Sequence, residues 1–285
     1  MSNVLKTLFL LSLLASVLVA LGWALGGAWP WILGAMALLM NVGAYFWSDK
    51  IVLRMHGARE VSPEEAPRLH AMVEEIARRA DIPKPRVFRI ADPTPNAFAT
   101  GRDPAHGVVA VTDGIVQLLD ERELRGVIAH EIAHIKNRDI LIATIGAVLA
   151  GAVSHIASAV QWAAILGTGS DEEEDGGGGV GALVLAFVAP FAAMLLQFAV
   201  SRAREFGADA TGAALAEDPE ALARALEKLQ RGAMLVPPAA ATPATASLFI
   251  VNPLSATERA ARWFSTHPAT EERVARLRSM GAARG

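Results

Sequence analysis

Cysteine is absent from the 285 residues. That excludes a disulfide framework, a thiol protease, a Cys-ligated zinc finger and a CxxC redox pair. It leaves the compartment open, because a cysteine-free chain is stable on either side of a membrane. Charge is scarce as well, at 19% of residues against 53% hydrophobic, and the net charge is −3. With no basic excess, nothing points to a nucleic-acid partner. A mean hydropathy of +0.35 excludes global disorder and is too high for an ordinary soluble domain. The length suffices for one large or two small domains with a buried core.

The apolar residues are concentrated in four runs: 4–25, charged only at Lys6, and 29–47, 140–166 and 180–200, which carry no charge. About 20 helical residues cross the roughly 30 Å hydrocarbon layer, so four spans are expected. Trp23, Trp29, Trp31 and Trp47 stand at run ends, where interfacial aromatics belong. A cleaved signal peptide would also place a lysine before an apolar stretch, but a second run follows here within a few residues. His155 and Gln161 lie inside the third run, and a buried helical hairpin is the alternative reading for runs three and four.

All 26 basic residues fall at Lys6, between Lys50 and Arg138, or between Arg202 and Arg284. The loop 167–179 has none and reads Asp171-Glu172-Glu173-Glu174-Asp175 before four glycines. The positive-inside rule then puts both termini and both basic segments in the cytoplasm, and the acidic loop outside as a solvated connector. The resulting organisation is a first membrane hairpin (1–47), a first soluble part (48–139), a second hairpin (140–200) and a second soluble part (201–285).

In the first soluble part, Ser62-Pro63-Glu64-Glu65 has the pattern of a helix start, followed by apolar residues at helical spacing. Residues 87–90 and 108–112 read as short strands. Asp120 with Glu123 caps a further helix expected to run through Arg138. Helical patterns recur near 219–231 and 268–278, with an Ala/Pro/Thr-rich stretch, 237–253, between them.

The helix after Asp120 contains His130-Glu131-Ile132-Ala133-His134. Residues four apart lie about 40° apart around a helix and one turn apart along it, so both imidazoles reach one zinc ion at about 2.0–2.1 Å. Glu131 projects from nearly the same side and can take a proton from a zinc-held water, as in metal-dependent peptidases. At this chain's composition the pattern arises by chance about 0.01 times. A catalytic zinc needs a third protein ligand. Without cysteine the candidates are carboxylates or distant histidines. Glu205 and Asp209 are i, i+4 after the fourth run, so one can ligate while the other bonds a ligating histidine. Arg202 and Arg204 leave a plain surface ion pair as the competing reading of Glu205.

Residues 130–139, His-Glu-Ile-Ala-His-Ile-Lys-Asn-Arg-Asp, resemble the HExxHxxNxD helix of the HtpX-type membrane zinc proteases, bacterial relatives of the CAAX prenyl proteases. Residues 201–209 resemble their SRxREFxAD motif, and 41–46, 96–101 and 264–268 match further family patterns. The resemblance implies a mostly α fold with a small β-sheet (α+β), a zincin-like protease domain built onto a four-helix transmembrane region. It implies one zinc ion held by His130, His134 and Glu205, with Asp209 beside a ligating histidine and Glu131 as the base. It also implies His267 as stabiliser of the tetrahedral intermediate, and Asn96 at the start of an edge strand that binds extended substrate. From the sequence alone, His267 reads as a helix-entry residue and Asn96 as a turn residue. Asn137, Arg138 and Asp139 brace the metal helix in this reading. His56, His70, His106 and His155 match no ligand position and read as surface or packing residues.

The implied function is a zinc endopeptidase of the bacterial inner membrane. Its partners are the lipid bilayer and damaged or unfolded membrane-protein substrates, cut at the cytoplasmic face. A prenyl-protein processing protease and a zinc-stabilised membrane scaffold are the rival readings. Fewer spans weigh against the first, and an intact Glu131 against the second. The topology is testable by single introduced cysteines. A cysteine at Glu173 is expected to react with an impermeant thiol reagent only from outside the cytoplasm, and labelling only from the cytoplasmic side would reverse the orientation.

Overall fold

Two long apolar helices open the chain. The computed structural model describes residues 3–146, 201–235, 250 and 268–282. In it α1 (Asn3–Leu25) and α2 (Trp29–Met55) form a hairpin, turned at Gly26 and Gly27, whose φ of 74° and 57° only glycine adopts without strain. Asn41, a polar residue amid apolar neighbours, donates its side-chain amide to the Leu11 carbonyl across the hairpin at 2.9 Å. The apolar run ends at Trp47, but α2 continues for two more turns because nothing in Ser48–Met55 breaks a helix. Those turns bury Val52 and Leu53 against Phe88, Ile90, Phe98, Val108 and Ala110 on one face of a sheet. The membrane-type helix is thus continuous with the soluble core.

The sheet has four strands, β1 (Arg59–Glu60), β2 (Arg86–Ile90), β3 (Ala97–Thr100) and β4 (Val108–Thr112), in the order β1-β2-β4-β3. β2 and β4 are parallel, and β1 and β3 lie antiparallel at the edges. Every residue of β4 is buried. Val108 and Ala110 face α2, whereas Val109 and Val111 face the main core, which is why this strand reads as an unbroken apolar run.

The main core gathers α3 (Pro67–Ala80), α4 (Asp113–Leu118), α5 (Glu121–Lys136), α6 (Arg202–Ala216), α7 (Pro219–Leu235) and α8 (Thr270–Ala282). Ser62 and Glu65 do make reciprocal side-chain-to-backbone bonds, yet the helix expected from them begins only at Pro67. Proline lacks the N–H a continuing turn needs, and it pushes Ala66 out of helical geometry, to φ −138° and ψ 60°. The expected capping box of Asp120 and Glu123 starts α5. That helix ends at Lys136 rather than running through Arg138, which instead takes a left-handed φ of 57°.

Helix α5 is the axis on which the rest is hung. Arg125 makes two 2.7 Å bonds to Glu75 of α3, and buried Glu123 accepts from Lys228 of α7 at 2.6 Å. Residues 140–146 begin another helix, whose Ile142 and Ile145 pack against Leu14 and Ala44 of the hairpin. The remainder of the third expected span, the fourth span with the acidic loop, and His155 and His267 lie outside the described residues.

Helix α6 comes unusually close to α5. A Cβ on Gly212 would stand 2.8 Å from the Cα and N of His130. Gly207, on the same helix, has open space around it. Gly212→Ala is therefore expected to destabilise the protein by about 1–3 kcal/mol through overpacking. Gly207→Ala should stabilise it by about 0.5–1 kcal/mol through helix propensity. Chemical unfolding of both variants checks the pair.

Candidate active site

Helical spacing and the Gly212 contact together bring three side chains to one point. On α5 the Nε2 atoms of His130 and His134 lie 3.2 Å apart. The Glu205 carboxylate of α6 lies across both, at 3.8 Å from His130 Nε2 and 3.6 Å from His134 Nε2. A tetrahedral ion bound at about 2.0–2.1 Å keeps its ligand atoms roughly 3.3 Å apart, so the separations fit one such ion. Two neutral imidazoles and one carboxylate are a donor set for a borderline divalent cation. His130 and Glu205 are buried, but the His134 side chain keeps 16% of its surface, so the site is open on that side.

Each imidazole has a carboxylate behind it. His130 Nδ1 lies 3.0 Å from Asp209 and His134 Nδ1 lies 3.3 Å from Asp139. Asp209 in turn accepts two bonds, of 2.7 and 2.8 Å, from Arg273 of α8, which is only 1% exposed. Burial alone would raise the Asp209 carboxyl, but the charge and hydrogen bonds of Arg273 outweigh it and hold the group at about 2. Burial also opposes the charge on Arg273, and Asp209, Glu205 and Glu131 keep it protonated.

Glu131 sits between this cluster and the sheet. Desolvation pushes its carboxyl up to about 7. The nearby Glu205 charge adds to that, while His134 and a bond from the Ala99 backbone N–H oppose it. Burial lowers His130. It pulls on His134 too, but the Asp139 bond and the charges of Glu205, Glu131 and Asp139 prevail and raise that group to about 9.

Strand β3 forms the rim of the site. Thr112 donates its backbone N–H to the Asn96 carbonyl, so along the β3–β4 ladder the alternate residues Phe98 and Thr100 also bond inward. Ala97 and Ala99 then direct their N–H and C=O groups to the outer edge, which no described strand pairs; both residues are buried, and the Ala99 N–H is the one that bonds Glu131. Asn96 is buried at the start of this strand, and its side-chain oxygen accepts the Ile250 backbone N–H at 3.3 Å. Arg273 bonds the Ile250 carbonyl at 2.8 Å. Of the remaining histidines, His70 bonds the Val61 carbonyl, His56 packs on Phe98, and His106 pairs with Asp103 at the surface.

A model of peptidase family M48 matches residues 63–281. The chain belongs to that family, in its HtpX branch. This M48 peptidase is 50% identical over 278 residues to a protease HtpX homolog of Syntrophobacter fumaroxidans, covering 96% of this chain and 98% of that one. It is 50% identical over 287 residues to the homolog of Persephonella marina, with 99% of each chain covered. The homolog of Aquifex aeolicus is 49% identical over 266 residues, 92% of this chain and 87% of that one. The crystal structure of S. mikatae Ste24p superposes with a TM-score of 0.52 at 17% identity, over 96% of this chain. The M48 peptidase spans 65% of that chain's length, and the likeness is one of fold. Membership makes the protein a metalloprotease, and the mostly helical fold with a small mixed sheet is the expected one.

Sequence reasoning passed over Arg273, which looks like one of several arginines on an amphipathic helix. The available signal was its place next to the apolar positions Val274 and Leu277 of α8. The Arg273–Asp209 pair generates a pH prediction. Asp209 titrates at about 2 in the fold against an ordinary 3.8, so its contribution is complete above about pH 4 and disappears as pH falls through about 2. About 2–3 kcal/mol should go in that window. Urea unfolding between pH 5 and 2 should show this acid loss in the parent protein, and Asp209→Asn should lack it.

Proposed function

We propose that this M48 peptidase is a zinc-dependent endopeptidase of the bacterial inner membrane that cuts damaged or misassembled membrane proteins on the cytoplasmic side. The observation that carries the reading is the position of Glu131. It is a buried carboxylate of raised basicity, flanked by the His130–His134–Glu205 set and by the edge strand β3.

Zinc held by His130, His134 and Glu205 would polarise the scissile carbonyl and make water a nucleophile near neutral pH. The chain's own groups do the rest. The N–H and C=O of Ala97 and the C=O of Ala99 pair with an extended peptide and lay it along the rim of the site. Glu131 takes the proton of the attacking water and delivers it to the leaving amine. Asp209 fixes the His130 ring, and Arg273 holds Asp209 in its ionised form. His267, three residues before the start of α8, is assigned to the developing oxyanion by the family resemblance. Asn96 anchors the start of the rim strand.

Membrane residence rests on the hairpin. Helix α2 is long and apolar enough to cross a bilayer. Among the described residues, the exposed large hydrophobic side chains all lie on α1 and α2, apart from Val116 and Leu118. His134 precedes the third apolar run by six residues, and Glu205 follows the fourth by five. The metal site is therefore only a few residues of chain from an apolar run on both sides, which keeps it near the membrane surface.

Glu131→Gln is expected to lower cleavage of a multispan substrate by at least about 10²-fold while keeping a full metal complement. His130→Ala, His134→Ala and Glu205→Ala should lose the metal. Elemental analysis of the purified variants separates the two classes, and full zinc retention by Glu205→Ala would remove that residue from the ligand set. Product termini read by mass spectrometry should cluster in cytoplasmic loops and juxtamembrane segments. Cuts at the centres of spans would displace the site into the bilayer.

A further inference from the structure

Beyond Lys136 the chain makes a tight helix-ending turn. Arg138 is left-handed, its N–H reaches the Ile135 carbonyl at 3.1 Å, and the Asp139 N–H reaches the His134 carbonyl at 2.9 Å. These are the two bonds of a Schellman motif, with arginine at the position where glycine is usual. An unbroken helix would place residue 139 about 140° around the axis from His134. The turn brings it back instead, so that buried Asp139 meets His134 twice, by its backbone N–H and by its carboxylate at Nδ1, 3.3 Å away.

The His134 Nε2 atom faces His130 and Glu205. An imidazole that gives its Nε2 lone pair to a metal carries its proton on Nδ1, and that N–H needs an acceptor. Asp209 fills this role for His130. We propose that Asp139 is the positioning residue of His134: its carboxylate accepts the Nδ1–H, fixes the tautomer and ring angle, and makes Nε2 the better donor. The inference rests on the metal-site reading above.

The same residue joins the metal helix to the membrane region. Ile140 follows directly, and Thr144, one turn later, bonds the Ile140 carbonyl at 2.6 Å and the Thr100 hydroxyl at the end of β3 at 3.0 Å. The ring of His134 and the end of the rim strand are therefore held by one short segment.

The test uses the full-length protein in detergent, stripped of metal and titrated with cobalt(II) against a chelator, below the melting temperature of every variant. Asp139→Asn keeps the main-chain bonds of the turn and is expected to bind cobalt 10–100-fold more weakly, with shifted visible bands. Asp139→Glu, which restores a carboxylate, should recover part of the affinity. If both variants bind within twofold of the parent with superposable spectra while His134→Ala loses the metal, Asp139 does not position His134. If His134→Ala itself binds cobalt like the parent, the metal-site reading fails and this inference with it.

Discussion

The constraint on which the rest of the structure depends is a charge imbalance in a dry place. Glu131, Asp139, Glu205 and Asp209 are buried around two imidazoles. Arg273 and half-buried Arg204 place two positive charges in that field. Counted formally, two negative charges remain, the amount a divalent cation cancels. Desolvation, with the Glu205 charge, raises Glu131 to about 7, and against desolvation the surrounding carboxylates raise His134 to about 9. A metal on His134 Nε2 would compete with the proton there, so occupancy, pH and folding stability would be linked through the same few side chains. Helix α6 carries two of the four carboxylates, and its close seat on α5 at Gly212 is part of the same balance.

The sheet is a mechanical intermediary. On one face it meets the C-terminal turns of α2, and on the other the helices that hold the site. A displacement of the hairpin has no flexible linker in which to dissipate, because α2 is one helix from the apolar hairpin to Val52 and Leu53. The helix that starts at Ile140 gives a second rigid connection, packed on Leu14 and Ala44 and bonded to the end of β3 through Thr144 and Thr100.

Much of this was readable in the residues, for reasons that are local. The His130–His134 spacing works because a helix repeats every 3.6 residues, and Asp120 with Glu123 satisfies a helix start wherever it occurs. Strand β4 announced itself because both of its faces are covered. The features that escaped depend on partners distant in sequence or on a single overriding atom. Arg273 lies 64 residues from Asp209, and no local pattern separates a buried arginine from a solvated one. Pro67 overruled the Ser62 cap by lacking one hydrogen. Asp139 was on view as part of a motif, but helical extrapolation points it away from His134, and only the left-handed turn at Arg138 reverses that.

The place of β3 at the edge of the described sheet bears on what such an enzyme would discriminate. Its outward groups are the Ala97 amide and the carbonyls of Ala97 and Ala99, and every residue except proline can answer an amide and a carbonyl with its own. A rim of this kind asks little of the side chains in a substrate and a great deal of its backbone, which must be extended and unpaired for several residues. Native helices and sheets have already committed those groups. The strand would therefore sort polypeptides by conformational state rather than by sequence, and the same stretch of chain would be invisible when folded and a ligand once its structure is lost.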